Sequence, residues 1–302
     1  MSISAHKIKK WYRMLMGKSV YHVNQEVGKV YSKKNVEGYY NDLTEKITRF
    51  GRHDNNIPLT VVDTGEEIEF AIAIFQYWLA AYDLFLLSNK TDKDSLAKLK
   101  SCAEWAVINQ QGDGSWVTFE YENPNCPYSS MAQGEGISLL IRAYITFGDE
   151  RYTSAAKKAL DFMLLPIEKG GTTKYVDNKI YFYECPLDPL ILNGWIFTIW
   201  GLYDYWKFFG DQHSKHILDQ TLATLENDLP SYDLGYWSKY EDKKRIASPF
   251  YHKLHIAQLR AMYDITGKDI YKVYADRWEQ FSTNWIFSKI AFVKKALQKI
   301  TE

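Results

Sequence analysis

Apolar residues recur with a helical period along most of the chain, and the periodic segments come in pairs. The pattern predicts helices over residues 66–88 and 92–109, 129–147 and 150–165, 190–209 and 212–229, and 251–266 and 269–281. A further helix runs to the C-terminus. Short polar joints separate the partners: Asn89-Lys90-Thr91, Gly148-Asp149, Gly210-Asp211 and Gly267-Lys268. Joints this tight make antiparallel neighbours. The pairs return at intervals of about sixty residues, which indicates a structural repeat with little identity between its units. Links between pairs alternate in polarity at 112–121, at 174–183 around Asp177-Asn178, and at 235–240, reading as short strands or hairpins on one rim. The expected fold is therefore all-α: an (α/α) toroid of about four helical hairpins with rim β-hairpins. Residues 1–64 are less regular, with a helical turn expected at 11–16 and extended stretches at 36–43 and 57–62. They read as an N-terminal arm packed on a body comprising residues 65–302.

Bulk properties narrow the function. The 302 residues suffice for one large core. Formal charge is zero, with 37 basic against 37 acidic residues, so no dominant electrostatic footprint for nucleic acid or an anionic membrane is expected. No apolar run reaches the length of a membrane span, and no Sec-type leader is visible in the first ten residues. Cys102, Cys126 and Cys185 are an odd set without CxxC spacing, which suggests neither a disulfide framework nor a zinc site. A reducing, cytoplasmic setting is the resulting expectation. Aromatic residues make up 16% of the chain, with 23 Tyr and 10 Trp. They serve either an aromatic-rich helical core or a carbohydrate cleft, where ring faces stack on sugars.

Candidate chemistry gathers where links meet helices, and such corners tend to carry function on a rigid scaffold. Tyr251, His252 and His255 open the helix at 251–266, with Pro249 just ahead. Their HxxH spacing is not the HExxH of a zinc enzyme, and no metal is expected. Glu184 stands among aromatics in Tyr181-Phe182-Tyr183-Glu184-Cys185-Pro186, where desolvation would raise its pKa and make it a usable general base. Tyr236, Trp237 and Tyr240 precede Lys243, Lys244 and Arg245, so cations lie beside aromatics as if for a sugar carboxylate. Gln133-Gly134-Glu135-Gly136 lacks the full dinucleotide fingerprint and permits close approach of a second helix or of a ligand.

These residues resemble a family. Ser130-Met131-Ala132-Gln133-Gly134, Ile137-Ser138 and Ile141-Arg142-Ala143-Tyr144 are similar to the C-terminal domain of D-glucuronyl C5-epimerases. Leu192-Asn193-Gly194, Gly201-Leu202-Tyr203-Asp204, Tyr251-His252, His255-Ile256 and Gln258-Leu259 follow in that domain's order, over roughly residues 128 to 260, and residues 72–82 look like its first helix. The resemblance implies inversion of glucuronate to iduronate at C5 within a heparosan-type, glycosaminoglycan-like polysaccharide or a lipid-linked glycan. It implies no cofactor, and a homodimer.

Carried over residue by residue, Glu184, Tyr240 and Tyr251 match the family's acid/base set. Gln133, Glu135, Asn193, Trp237, His252 and His255 are expected around the substrate, and Lys243 or Arg245 on its carboxylate. Two departures stand out. Cys185 replaces the family's tyrosine, and an ungapped alignment would put Tyr183 at that tyrosine's place. Lys243 replaces an arginine, a point charge in place of a planar fork. Alternatives are a polysaccharide lyase, a uronyl hydrolase pairing Glu184 with Glu135 or Asp242, and a non-catalytic glycan-binding module.

Overall fold

The computed structural model describes residues 12–13, 22–49, 57–62 and 65–301. The described chain is mostly helical, as the apolar period implies. Eight helices form four consecutive pairs: α1 (Ala71–Leu87) with α2 (Lys93–Ile108), α3 (Ser130–Phe147) with α4 (Glu150–Met163), α5 (Leu192–Phe209) with α6 (Gln212–Asp228), and α7 (Pro249–Thr266) with α8 (Asp269–Thr283). A last helix, α9 (Trp285–Thr301), follows.

Inner and outer helices differ in sequence for a physical reason. From Ala71 to Phe85, nearly every α1 side chain is buried, Gln76 and Asp83 included, and α3 and α5 are buried in the same way. Helices apolar all round belong inside a core. The outer α4 instead buries one stripe, including Tyr152, Ala155, Ala156, Ala159, Leu160 and Met163, and turns its charged face to solvent. Inner helices pack side by side in the order α1, α3, α5, α7, each backed by its outer partner.

The α3–α5 contact is closest where Gly134 meets Gly201. A β-carbon at Gly201 would lie 2.2 Å from the Gly134 carbonyl oxygen, so larger residues there would force the helices apart. Of the two glycines in Gln133-Gly134-Glu135-Gly136, Gly134 is the one that admits the second helix, whereas Gly136 packs against Trp116.

Helix ends follow their caps. Asp92, Ser129, Asp149, Asp211 and Ser248 each accept a first-turn backbone N–H, and left-handed Gly148, Gly210 and Gly267 close α3, α5 and α7. These positions fix the short joints to within a residue or two of expectation. The helix expected over 66–88 starts later, at Ala71, because Glu67–Ile68 pairs as β2 with β1 (Thr60–Val61) before α1 begins.

The hairpin expected around Asp177-Asn178 is present: β3 (Thr173–Val176) pairs antiparallel with β4 (Lys179–Phe182), and Asp177 takes positive φ in the turn. Residues 112–121 form no strand. The Trp116 side chain is buried there, and Thr118 and Phe119 both donate their backbone N–H to the Pro127 carbonyl. Residues 235–240 make only isolated bridges, Asp233–Ser238 and Lys239–Ile246.

The stretch at 36–43 inserts into the helical body. Tyr39, Tyr40 and Leu43 are fully buried, Tyr40 donates to Asp204 at 2.6 Å, and Arg142 holds the Gly38 carbonyl through Nε and Nη2. Arg142 also pairs with Asp204 at 2.6 Å, with both side chains fully buried, and Ser138 donates to the same carboxylate. Three of the motif residues in α3 and α5 thus form a buried polar lock. The helical turn expected at 11–16 lies outside the described residues except for helical Tyr12 and Arg13.

The cysteine expectation needs correction. Cys126 and Cys185 are joined as a disulfide across a sequence separation of 59, and only Cys102 is a free, buried thiol. No local spacing could reveal a pair brought together by two loops. A disulfide belongs to oxidising settings, which removes the basis for expecting a reducing compartment. Among the described residues no helix is long and apolar enough to cross a membrane.

Candidate active site

A cavity of about 240 Å³ opens where the loop before α5, the first turn of α7 and the N-terminal segment meet. Glu184, Asn193 and Tyr251 line it, together with Phe70, Tyr121, Phe197 and Phe250. Glu184 reaches it because the first turn of α5 carries Gly194: a β-carbon there would stand 2.6 Å from Glu184 Oε2. Tyr251 reaches it because Ser248 caps α7 and Pro249 starts the helix, fixing the first turn.

The electrostatics are those of a site built to move protons. Burial, together with the charges of Asp188 and Glu122, pushes the Glu184 carboxyl up to about 7, against the pull of Arg245. Its Oε2 is buried and accepts no hydrogen bond from the described residues; the same holds for Glu135 Oε2, Asn193 Oδ1 and Gln258 Oε1. Buried acceptors are normally satisfied, so the two unmet ones on the cavity wall, at Glu184 and Asn193, make it the candidate site.

Glu135 accepts from Gln76 at 2.8 Å and is pushed up to about 8 by burial, with Glu184 adding to the rise and Gln76 and Lys46 opposing it. The Tyr240 and Tyr251 rings lie 4.6 Å apart, and each hydroxyl bears on the acidity of the other. Burial and Glu184 push Tyr251 up to about 12, whereas the neighbouring Tyr240 hydroxyl lowers it. Tyr240 is raised well above 10 by burial, by Tyr251 and by Glu184. Arg245 lies over the Tyr240 ring at 5.5 Å.

Several expected residues fall elsewhere. The Lys243 side chain is exposed, because Glu241 gathers the backbone N–H groups of Lys243, Lys244 and Arg245 into a tight turn that points Lys243 outward. His252 and His255 do not line the cavity. Both contact Ser238 Oγ, at 2.8 and 3.1 Å, His252 also meets the Trp278 carbonyl, and Trp237 stacks on His252 at 3.6 Å. Burial holds both imidazoles near 3, so they are neutral packing groups and Trp237 packs with them.

Gln133 spends its amide on the Gly114 and Ala159 carbonyls and accepts from the Trp116 N–H, pinning the loop before α3. Tyr183 lies outside the cavity lining, its backbone tied to Thr172 and Ser130. The structure therefore brings Glu184, Asn193, Tyr240, Tyr251 and Arg245 together, with Glu135 behind Gln76.

The N-terminal segment adds residues that the sequence reading missed. His22, Gln25 and Lys46 line the cavity, and His22 meets the Phe250 and Tyr251 rings edge-on. Burial lowers the Lys46 ammonium to about 8, against the attraction of Glu135. Gln76 carried a visible signal, a lone amide in an otherwise apolar stretch of α1. Nothing in the sequence around Lys46 distinguished it from a surface lysine.

Comparison with known proteins gives the family. The family model described as D-glucuronyl C5-epimerase C-terminus matches residues 114–280, more than half of the chain. An uncharacterized protein of Methanocaldococcus jannaschii is 31% identical over 157 residues, covering 50% of this chain and 51% of its own. The D-glucuronyl C5-epimerase of Caenorhabditis elegans is 29% identical over 207 residues, covering 59% of this chain and 34% of its own. The chain thus spans about half the length of the archaeal relative and a third of the nematode one. The match over residues 114–280 places this chain in the family of D-glucuronyl C5-epimerase C-terminal domains.

Proposed function

We propose that the chain is a cofactor-independent epimerase that inverts C5 of a hexuronate within a glycan. The observation that carries this reading is the pairing, in one cavity, of a carboxyl raised to about 7 with Tyr251, whose ring is backed by that of Tyr240. The C5 proton lies α to a carboxylate, so its removal adds negative charge to an anion. The reaction needs a base on one face, an acid on the other, and cations on the carboxylate.

In this reading Glu184, ionised, takes the proton from one face while Tyr251 delivers one to the other, assisted by Tyr240, whose ring lies 4.6 Å from that of Tyr251. The reverse direction uses the same groups with exchanged roles. Arg245 is the cation favoured over Lys243, and Lys46 adds a second on the N-terminal side of the cavity. Phe70, Tyr121 and Phe250 offer ring faces to the sugar. The cavity is smaller than the ~300–1,000 Å³ of pockets that engulf a drug-sized ligand, which suits one reacting sugar of a longer glycan. In the same proposal the four inner helices close into the (α/α) toroid around this cavity, with residues 1–64 as the arm that completes its wall.

The test is a pH–rate profile with two variants. Turnover of glucuronate should rise with pH through about 7 as Glu184 ionises, and stay high until Tyr251 loses its proton near 12. Glu184→Gln and Tyr251→Phe should each lower kcat by about 10²–10⁴-fold with the fold intact. A Tyr251→Phe enzyme with unchanged kcat would sink the assignment.

A further inference from the structure

The last helix presents a surface that the catalytic reading does not use. Along α9, Ile286, Ile290, Val293 and Leu297 recur at i, i+4, i+7 and i+11, so they form one narrow stripe. Each is between 39% and 58% exposed, and Trp285 at the head of the helix is 72% exposed. The opposite face packs inward through Ala291 and Lys295, with Gln298 bonded to the Lys244 carbonyl. A surface helix ordinarily turns its apolar stripe to the core; α9 keeps a second one outside.

Charge decides what covers it. Residues 285–301 contain four lysines and no acidic residue. Helical spacing puts exposed Lys289 on one flank of the stripe and exposed Lys294 on the other. A second feature lies beside this ridge. A groove of about 410 Å³ between α9 and the start of α7 is lined by Trp237, Pro249 and Phe292, with Lys253 and Lys289 among its walls. It offers an apolar slot next to cations, on the helix whose following residues, Phe250 and Tyr251, line the cavity.

We infer that α9 is an interfacial helix that docks the protein on an anionic lipid surface, its apolar ridge in the acyl boundary and its lysines among the headgroups. An exposed apolar face bordered by lysines, with tryptophan at one end, is how helices lie in a membrane interface. A second copy of the chain fits less well. A two-fold dimer through this ridge would set Lys289 and Lys294 against the same cations of the partner, with no acid on either helix to neutralise them. The inference stands apart from the epimerase reading and does not depend on it.

Co-sedimentation of the full chain with vesicles tests it. Vesicles of phosphatidylcholine alone should bind little, and vesicles containing a third phosphatidylglycerol should bind well and release the protein at high salt. Ile290→Glu with Val293→Glu, both at exposed positions, should lower partitioning at least about tenfold. Lys289→Glu with Lys294→Glu should lower it by about fivefold per lysine or more, with circular dichroism confirming that each variant is folded. Lack of binding by the wild-type chain, or binding unchanged in both variants, would overturn the inference. So would a wild-type dimer in sedimentation velocity that the Ile290/Val293 variant dissociates, since that would assign the ridge to a second copy.

Discussion

Replacing Glu184 by glutamine should leave a pH-dependent mark on stability that separates its burial from its chemistry. In the folded chain burial raises this carboxyl from 4.5 to about 7. The folded protein therefore holds a proton that the unfolded chain releases. Below about pH 4.5 both states are protonated and the protonated carboxyl's contribution is fully present. Between about 4.5 and 7 stability falls as pH rises, and above 7 the contribution is lost. A shift of this size corresponds to about 3 kcal/mol at roughly 1.4 kcal/mol per pKa unit. Glutamine keeps the shape and cannot ionise.

Glu184→Gln should therefore gain about 3 kcal/mol on the wild type between acidic and mildly alkaline pH, or about 6 °C in Tm at roughly 2 °C per kcal/mol for a chain this long. Glu135 has its own slope, running up to about 8, and is present in both proteins, although removing the Glu184 charge also eases its ionisation. The assay is thermal unfolding by circular dichroism from pH 5 to 8.5, with turnover measured on the same samples. Parallel curves for the two proteins at every pH would refute the buried-carboxyl account. A variant more stable at pH 8 and inactive would show a group kept against stability for function.

Three further outcomes follow from the contacts. Arg245→Ala should raise KM for a uronate glycan about tenfold or more while Lys243→Ala changes it little, because Arg245 stands over Tyr240 and Lys243 faces solvent; equal effects in steady-state kinetics would contradict that placement. Asp204→Asn should destabilise the fold by about 3–5 kcal/mol in denaturant titrations, since it leaves Arg142 as a buried unpaired cation; a loss below about 1 kcal/mol would mean that the pair is solvated. Reducing Cys126–Cys185 should cost about 4 kcal/mol by the chain-entropy relation for its loop, read as a drop in Tm in reductant that Cys102→Ser does not abolish.

The helical repeat was legible because glycines and capping Asp or Ser residues punctuate it. Gly148-Asp149 and Gly210-Asp211 end one helix and cap the next, so those boundaries are written locally. The strand expected at 112–121 was a misreading of alternation: its apolar positions serve burial of Trp116 and a turn onto Pro127. Glu184 and Tyr251 were visible as polar groups at apolar helix starts. His252 and His255 had the same signature, and only packing against Ser238, Trp237 and Trp278 separates structural from cavity-facing imidazoles.

Arg142 and Asp204 lie far apart in sequence, so a motif reading could identify both without revealing that they pair and seat residues 38–40. Lys46 and the Cys126–Cys185 bond depend on the same kind of distant contact, which local periodicity does not encode.

The central claim is tested most directly by proton exchange at C5. A glucuronate-containing, heparosan-type glycan is incubated with the protein in D2O and followed by NMR. The account predicts deuterium at C5, iduronate signals growing in beside glucuronate, and chains of unchanged length. Absence of exchange would contradict it, as would an absorbance rise from an unsaturated uronate with chain cleavage, the signature of elimination in place of epimerisation.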